Sequence, residues 1–181
     1  MERLFVSLNP PEAVQRSLAA LAEPLPGVVW RRPEQIHLTL RFLGDVDAGL
    51  EERIVERLAA IQVEAFVLAV EGLGTFPPNR PPRIVWAGVG SGHPRLYQLR
   101  QRLDDALLAA GAEFDVENFH PHFTLARCRE FAGPALDLWL RKNKDFEGPP
   151  FRAACFDLMS STLRPEGAEH VLKRRFPLAG S

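Results

Sequence analysis

The sequence predicts a mixed helix-and-strand domain made of two similar βαβαβ halves, and three observations carry that reading. A His-x-Thr-x tetrapeptide occurs twice, as His37-Leu38-Thr39-Leu40 and His122-Phe123-Thr124-Leu125, 85 residues apart. Phe66 and Phe151, each opening a strand pattern after a helix pattern, share that offset. Stretches of period two and period 3.6 also alternate in the same order around both tetrapeptides. An internal duplication explains all three: halves of about 1–78 and 79–181 within a single domain spanning 1–181. A pseudo-twofold axis between the halves would set the two tetrapeptide strands against a shared cleft.

In chain order, residues 3–8 form a strand closed by Asn9-Pro10-Pro11, where proline suits a first helical turn. Residues 12–21 place Val14, Leu18 and Leu21 at helical spacing, and Pro24, Pro26 and Gly27 end that helix. Val28-Val29-Trp30 opens an extended segment leading to a strand over 36–43 and a turn at Gly44-Asp45. From Asp47, a residue suited to capping, Leu50, Ile54, Leu58 and Ile61 make one apolar helix stripe. A strand over 66–70 follows. Residues 72–82, with four prolines and two glycines, are expected to connect the halves. The second half then offers a strand over 83–89 and a helix over 94–110 with Leu96, Leu99, Leu103 and Leu107 on one face. Next come a strand over 119–126, a helix over 135–142, and strands over 151–159 and 170–176 joined by a turn at Pro165-Glu166-Gly167.

Composition narrows the function. A chain of 181 residues, 46% hydrophobic, has the length to bury a core and fold alone. Its 22 basic and 23 acidic residues exclude a broadly cationic surface and argue against tight binding along a duplex, leaving room for local patches. Cys128 and Cys155 are too few and too far apart for a disulfide framework or a zinc cluster, which favours a reducing cytoplasm. Met1-Glu2-Arg3-Leu4-Phe5 lacks the pattern of an export leader, and no window has the length of a membrane span. A soluble cytoplasmic protein with no membrane association and no obligate protein partner is the expectation.

Within each tetrapeptide, residues two apart share a face, so His and Thr project together while the flanking apolar residues turn inward. Strand propensity accounts for threonine but does not ask for histidine, least of all twice in one phase. Two imidazoles of ordinary pKa about 6.5 can be held one protonated and one neutral near pH 7, the condition for concerted acid and base catalysis. Threonine hydroxyls donate to an anionic oxygen without adding charge, which suits a phosphodiester. With no carboxylate inside either tetrapeptide strand and no serine in a nucleophile elbow, no metal or other cofactor is expected.

These residues resemble the 2H phosphoesterases, and within them the bacterial and archaeal RNA 2',3'-cyclic phosphodiesterases of the 2'-5' RNA ligase family. The match runs from Arg3-Leu4-Phe5-Val6 through both tetrapeptides, the first continuing into Arg41-Phe42-Leu43-Gly44 and the second into Ala126-Arg127, to Ser160-Ser161, Leu163 and Arg175-Phe176-Pro177-Leu178. It implies a bilobal α+β fold, an antiparallel sheet in each lobe, helices outside, and an active site in the cleft between lobes. It further implies His37 as proton donor to the 3'-oxygen, His122 as the base that activates water, and Thr39, Thr124 and Arg127 around the phosphate. The substrates would be RNA ends or nucleotides carrying a 2',3'-cyclic phosphate. From the residues alone either imidazole serves as the acid. His170 stands where family members often have Tyr.

Several side chains carry two readings each. Arg127, five residues after His122, falls on the wrong face under strict alternation, so phosphate contact requires a bulge. Phe42 offers a ring to a base or to the core. Arg31, Arg32 and Arg41 suit an RNA-facing patch or a solvated surface. His120, on the face of His122, invites a metal site with His37 but lacks an evident acidic or thiolate companion. Beside hydrolysis stand reversible 2'-5' RNA joining by the same residues and a non-enzymatic nucleotide or RNA-binding module of the same fold.

Overall fold

Leu38 and Phe123, both fully buried, are antiparallel Cα partners, and at this one pair the two parts of the main sheet join. The computed structural model describes residues 1–78, 81–115, 118–129, 133–164 and 167–180. Beyond β3 (Leu38–Val46) lie β1 (Glu2–Leu8), β9 (Cys155–Arg164) and β10 (Gly167–Pro177) in that order. Beyond β7 (Phe123–Cys128) lie β6 (Ile84–Ala87) and β5 (Leu73–Phe76), while β2 (Val28–Trp30) also pairs with β7. A separate ribbon joins β4 (Phe66–Glu71) to β8 (Glu147–Ala153), and every pairing of named strands is antiparallel. This is the duplicated, antiparallel α+β architecture the sequence predicts.

The lobes exchange strands between the sequence halves. First-half β2 and β5 complete the lobe around β7, and second-half β9 and β10 complete the lobe around β3. Helices α1 (Glu12–Ala19), α2 (Ala48–Ala59), α3 (Pro94–Ala110) and α4 (Gly133–Lys142) bury their apolar stripes in the core shared with the sheet. On α3, Leu96, Leu99, Leu103 and Leu107 are fully buried, each contributing about 1.5–3 kcal/mol of apolar transfer. Gly111 ends that helix in the left-handed region at φ 87°, where a side chain would be strained. Asp47 caps α2, its Oδ1 accepting from the Leu50 N–H at 2.9 Å. The indole of Trp139 on α4 donates to the Leu21 carbonyl at 3.0 Å and lies against Trp30, 5.1 Å between ring centroids, tying the halves together again.

Four local expectations change. Gly44-Asp45 is not a turn: β3 runs on to Val46, and its ladder with β1 slips between Leu4 and Phe5, with Gly44 at φ 69° accommodating the irregularity. Residues 73–76, expected in a connection, are β5, because the indole of Trp86 on β6 lies over Gly74 and only a glycine leaves it room. The apolar run over 151–159 is two strands, broken at Ala154, where the chain leaves β4 and joins β1. Both tetrapeptide strands start later than expected, at the residue after each histidine. Of the turn expected at 165–167, Pro165 and Glu166 lie outside the described residues, and Gly167 opens β10. Among the described residues no helix is long and apolar enough to cross a membrane.

Candidate active site

His37 and His122 each lie one residue ahead of the Leu38–Phe123 pair, outside either ladder. The carbonyls two residues before them therefore remain free to accept from an imidazole. His37 Nδ1 lies 2.9 Å from the Gln35 oxygen, and His122 Nδ1 lies 2.7 Å from the His120 oxygen. A carbonyl only accepts, so each Nδ1 carries the proton and donates it, leaving Nε2 as the nitrogen for exchange. Continuing the antiparallel register by one residue in each direction sets His37 opposite Thr124 and Thr39 opposite His122. Leu38, Leu40, Phe123 and Leu125 are buried on the other face, while all four His and Thr side chains are half-buried. The structure thus brings together the four residues that the repeated tetrapeptide singles out.

Two bulges settle the faces of Phe42 and Arg127. Between β1 and β3 the register passes from Ser7–Thr39 to Val6–Arg41, skipping Leu40. Between β6 and β7 it passes from Trp86–Thr124 to Val85–Ala126, skipping Leu125. Each extra residue reverses the alternation beyond it. Phe42 and Arg127 consequently return to the His/Thr face and are exposed, Phe42 by 68%.

Other side chains complete the walls: His120 on the face of His122, as the alternation predicts, and Phe5, Phe76, Trp86 and His170, whose places here the sequence does not assign. On one side, Phe5 and His170 each pack 5.0 Å from His37, centroid to centroid. On the other, Phe76 lies 5.1 Å from His122 and 4.9 Å from His120, which also packs against Trp86. His120 is thereby committed to the aromatic wall around His122, away from the Phe5–His170 wall around His37. Among the described residues no group of three or more His, Cys, Asp or Glu side chains is placed to hold an ion.

The electrostatics are those of a cationic, partly dry cleft. Burial above all, then the neighbouring His170, Arg31 and His122, hold His37 down to about 4, against the opposing bond to the Gln35 carbonyl. Burial, with a smaller effect of His120, also lowers His122 against its own carbonyl bond, and burial with Arg31 lowers His170. Arg31 is itself pushed down by burial and by the charge of Arg127. An anion entering between these groups would relieve their repulsion.

The expected patch of Arg31, Arg32 and Arg41 resolves differently. Arg31 lies near His37; Arg32 is exposed and pairs with Glu34 at 2.9 Å. Arg41, 7% exposed, donates to both oxygens of Asp104 at 2.9 and 2.7 Å and to the Asp115 carbonyl, and stacks 4.3 Å from the Phe114 centroid. The bulge at Leu40 is the reason: it turns Arg41 inward, where Asp104 offsets its charge. A cavity of about 830 Å³ opens beside Thr39 and His122, walled by Phe42, Phe76, Phe119 and His120.

The chain is similar to known proteins in sequence and fold. The family model described as LigT like Phosphoesterase matches twice, over residues 8–86 and 89–168. An RNA 2',3'-cyclic phosphodiesterase of Aeropyrum pernix is 38% identical over 135 residues, covering 74% of this chain and 77% of its own. One from Thermotoga maritima is 33% identical over 173 residues, covering 91% and 89%. Among solved structures, a protein of Thermus thermophilus superposes with TM-score 0.81 at 25% identity, covering 99% of both chains. Escherichia coli LigT, solved in complex with 3'-AMP, gives 0.81 at 23% identity over 98% of both chains, a likeness of fold. With both halves matched around the paired His and Thr, the chain belongs to the LigT-like phosphoesterase family.

Proposed function

We propose that this protein hydrolyses the 2',3'-cyclic phosphate of RNA or nucleotide ends to a 2'-phosphomonoester. One observation carries the reading: two imidazoles, each with Nδ1–H held by a carbonyl and Nε2 left for exchange, lie one to each side of the pair that joins the lobes. His122 Nε2 takes a proton from water, and His37 Nε2–H gives one to the departing 3'-oxygen. Thr39 and Thr124 hydroxyls donate to the non-bridging oxygens as charge redistributes. Arg127 and Arg31 hold the anion, and the exposed ring of Phe42 is offered to a base. The names of the Aeropyrum and Thermotoga relatives support the substrate class.

The test is incubation with a 2',3'-cyclic nucleotide in EDTA, followed by identification of the phosphate position. Turnover to the 2'-phosphate is expected. A 3'-phosphate product, or turnover restored only by added metal, overturns the mechanism. The same residues would serve reversible 2'-5' joining with a ribose hydroxyl in place of water, and a joined product from two RNA ends would reveal it.

A further inference from the structure

The two sides of the candidate site differ in charge. Beyond the bulge, Arg127 on β7 and Arg129 just past its end are both exposed, while Cys128 between them packs toward the core. The Arg129 N–H donates to the Gly27 carbonyl at 2.7 Å, which continues the β2–β7 ladder and holds this backbone extended. Arg31 follows β2 on the same surface, its N–H donating to the Leu125 carbonyl at 2.8 Å. Among the described residues none of these three guanidinium groups has a carboxylate partner, while the two arginines on the cavity side, Arg41 and Arg100, both do.

The cavity side is the opposite. Its two arginines, Arg41 and Arg100, share Asp104, and the exposed Glu113 and Asp115 stand on its wall. The duplication sharpens the contrast: 85 residues before Arg127 and Arg129 stand Phe42 and Gly44, so the twofold-related surface of the other lobe carries no charge at these positions. At these two positions the pseudo-symmetry is broken, cations on the β7 lobe facing uncharged residues at the matching places on the β3 lobe.

We infer that this row is a track for the phosphates of single-stranded RNA upstream of the reacting end, with Arg129 a binding residue that reaches past the terminal nucleotide. The inference rests on the phosphodiesterase reading above and extends it to the substrate's length and direction. Alternate residues of a strand lie about 6.6 Å apart, a spacing comparable with successive phosphates of an extended nucleic acid backbone. The mutual repulsion of Arg31 and Arg127 is what a polyanion relieves. Acidic Glu113 and Asp115 repel phosphates from the cavity side, which leaves that side for uncharged parts of the terminal nucleoside.

The test compares 2',3'-cyclic AMP with a short oligoribonucleotide ending in the same cyclic phosphate, for the wild type, Arg129→Ala, Arg129→Lys and Arg129→Glu. With Arg129→Ala, kcat/KM on the oligonucleotide should fall several-fold, and its salt dependence should flatten by about 0.7 in the log–log slope, one phosphate contact on a single strand. Lysine should restore most of the loss and glutamate deepen it. All variants should turn over cyclic AMP as the wild type does. Equal losses on both substrates, or an unchanged oligonucleotide slope, overturn the track. If the wild type turns over neither substrate, the phosphodiesterase reading fails. Anisotropy with a labelled oligonucleotide ending in a 3'-phosphate then decides the track by the same slope change.

Discussion

Leu40 and Leu125 are the same residue twice: 85 positions apart, each is skipped by a ladder of its strand, and each bulge returns the side chain two positions later to the His/Thr face. A bulge interrupts the ladder, so its carbonyl needs another donor. Leu40 O accepts from Arg100 Nη1 at 2.7 Å, and Leu125 O from the Arg31 N–H at 2.8 Å.

Arg100 is therefore a positioning residue for Thr39. Its guanidinium joins the Leu40 carbonyl to Asp104 from helix α3, and the residue is 9% exposed. Arg100→Met should lower stability by about 1.5–3 kcal/mol, the range for hydrogen bonds to charged groups. In a chain of this size each kcal/mol moves Tm by about 2–4 °C. kcat should fall as well, since Thr39 precedes the loosened residue. Arg100→Lys keeps the charge but not the planar fork and should recover only part. A melting temperature unchanged in Arg100→Met would refute this account of the bulge.

Gly74 tests the wall beside His122. A Cβ there would overlap the indole of Trp86, which is the cross-strand partner of Thr124 and packs on His120. Gly74→Ala should cost about 1–3 kcal/mol, as overpacking does, and lower activity by displacing the indole. Gly49→Ala, in the first turn of α2, meets only ordinary contacts and is the control, expected to hold or slightly raise Tm. Equal thermal denaturation curves for the two variants would show that the indole has room to move.

What the sequence reveals depends on how local the cause is. Helix α3 is legible to its last residue because Pro94, four leucines at helical spacing and Gly111 are all local signals. The His/Thr quartet is legible because duplication writes it twice. Arg127 is only half legible: alternation puts it on the wrong face, and the bulge that corrects this is a property of two strands together. The same limit hides the break at Ala154, where an unbroken apolar run changes partner. It also hides Phe5, Phe76, Trp86 and His170, whose places beside the histidines arise from strand pairings far apart in sequence.

The depressed proton affinity of His37 makes two pH predictions. Below the ordinary imidazole pKa of about 6.5 the unfolded chain binds a proton at this residue, while the folded chain stays neutral down to about 4. The stability present above pH 6.5 is therefore lost as pH falls toward 4, and His37→Asn should flatten the fall of Tm in that window. In the free protein near pH 7 His37 is neutral, so acting as an acid requires a proton that arrives with the anion. Calorimetric titration of a 2'-nucleotide in buffers of different ionisation enthalpy near pH 6.5 should register more proton uptake by the wild type than by His37→Asn, the variant accounting for the titration of the phosphate itself. Equal uptake by the two proteins would count against His37 as the acid. His170→Phe takes away one repelling imidazole and should raise the His37 pKa.

Histidine and threonine should separate in kinetics. Replacing His37 or His122 by Ala removes a proton-transfer partner, and general acid or base catalysis contributes about 10²–10⁴-fold, so kcat should fall by at least that much while binding suffers less. Thr39→Val or Thr124→Val keeps the strand and its shape but deletes one donor to the phosphate, an effect of about 2.7–4 kcal/mol by analogy with loss of one oxyanion donor. A hydroxyl that holds ground and transition states equally changes KM alone; one that answers developing charge changes kcat. Both should change here, because a cyclic phosphate is anionic before attack and its charge shifts during it. The histidines act in one concerted step, so His37→Ala/His122→Ala should be little worse than either single variant. Multiplicative losses in that double variant would contradict the concerted step, and wild-type turnover by either single histidine variant would end the two-histidine mechanism.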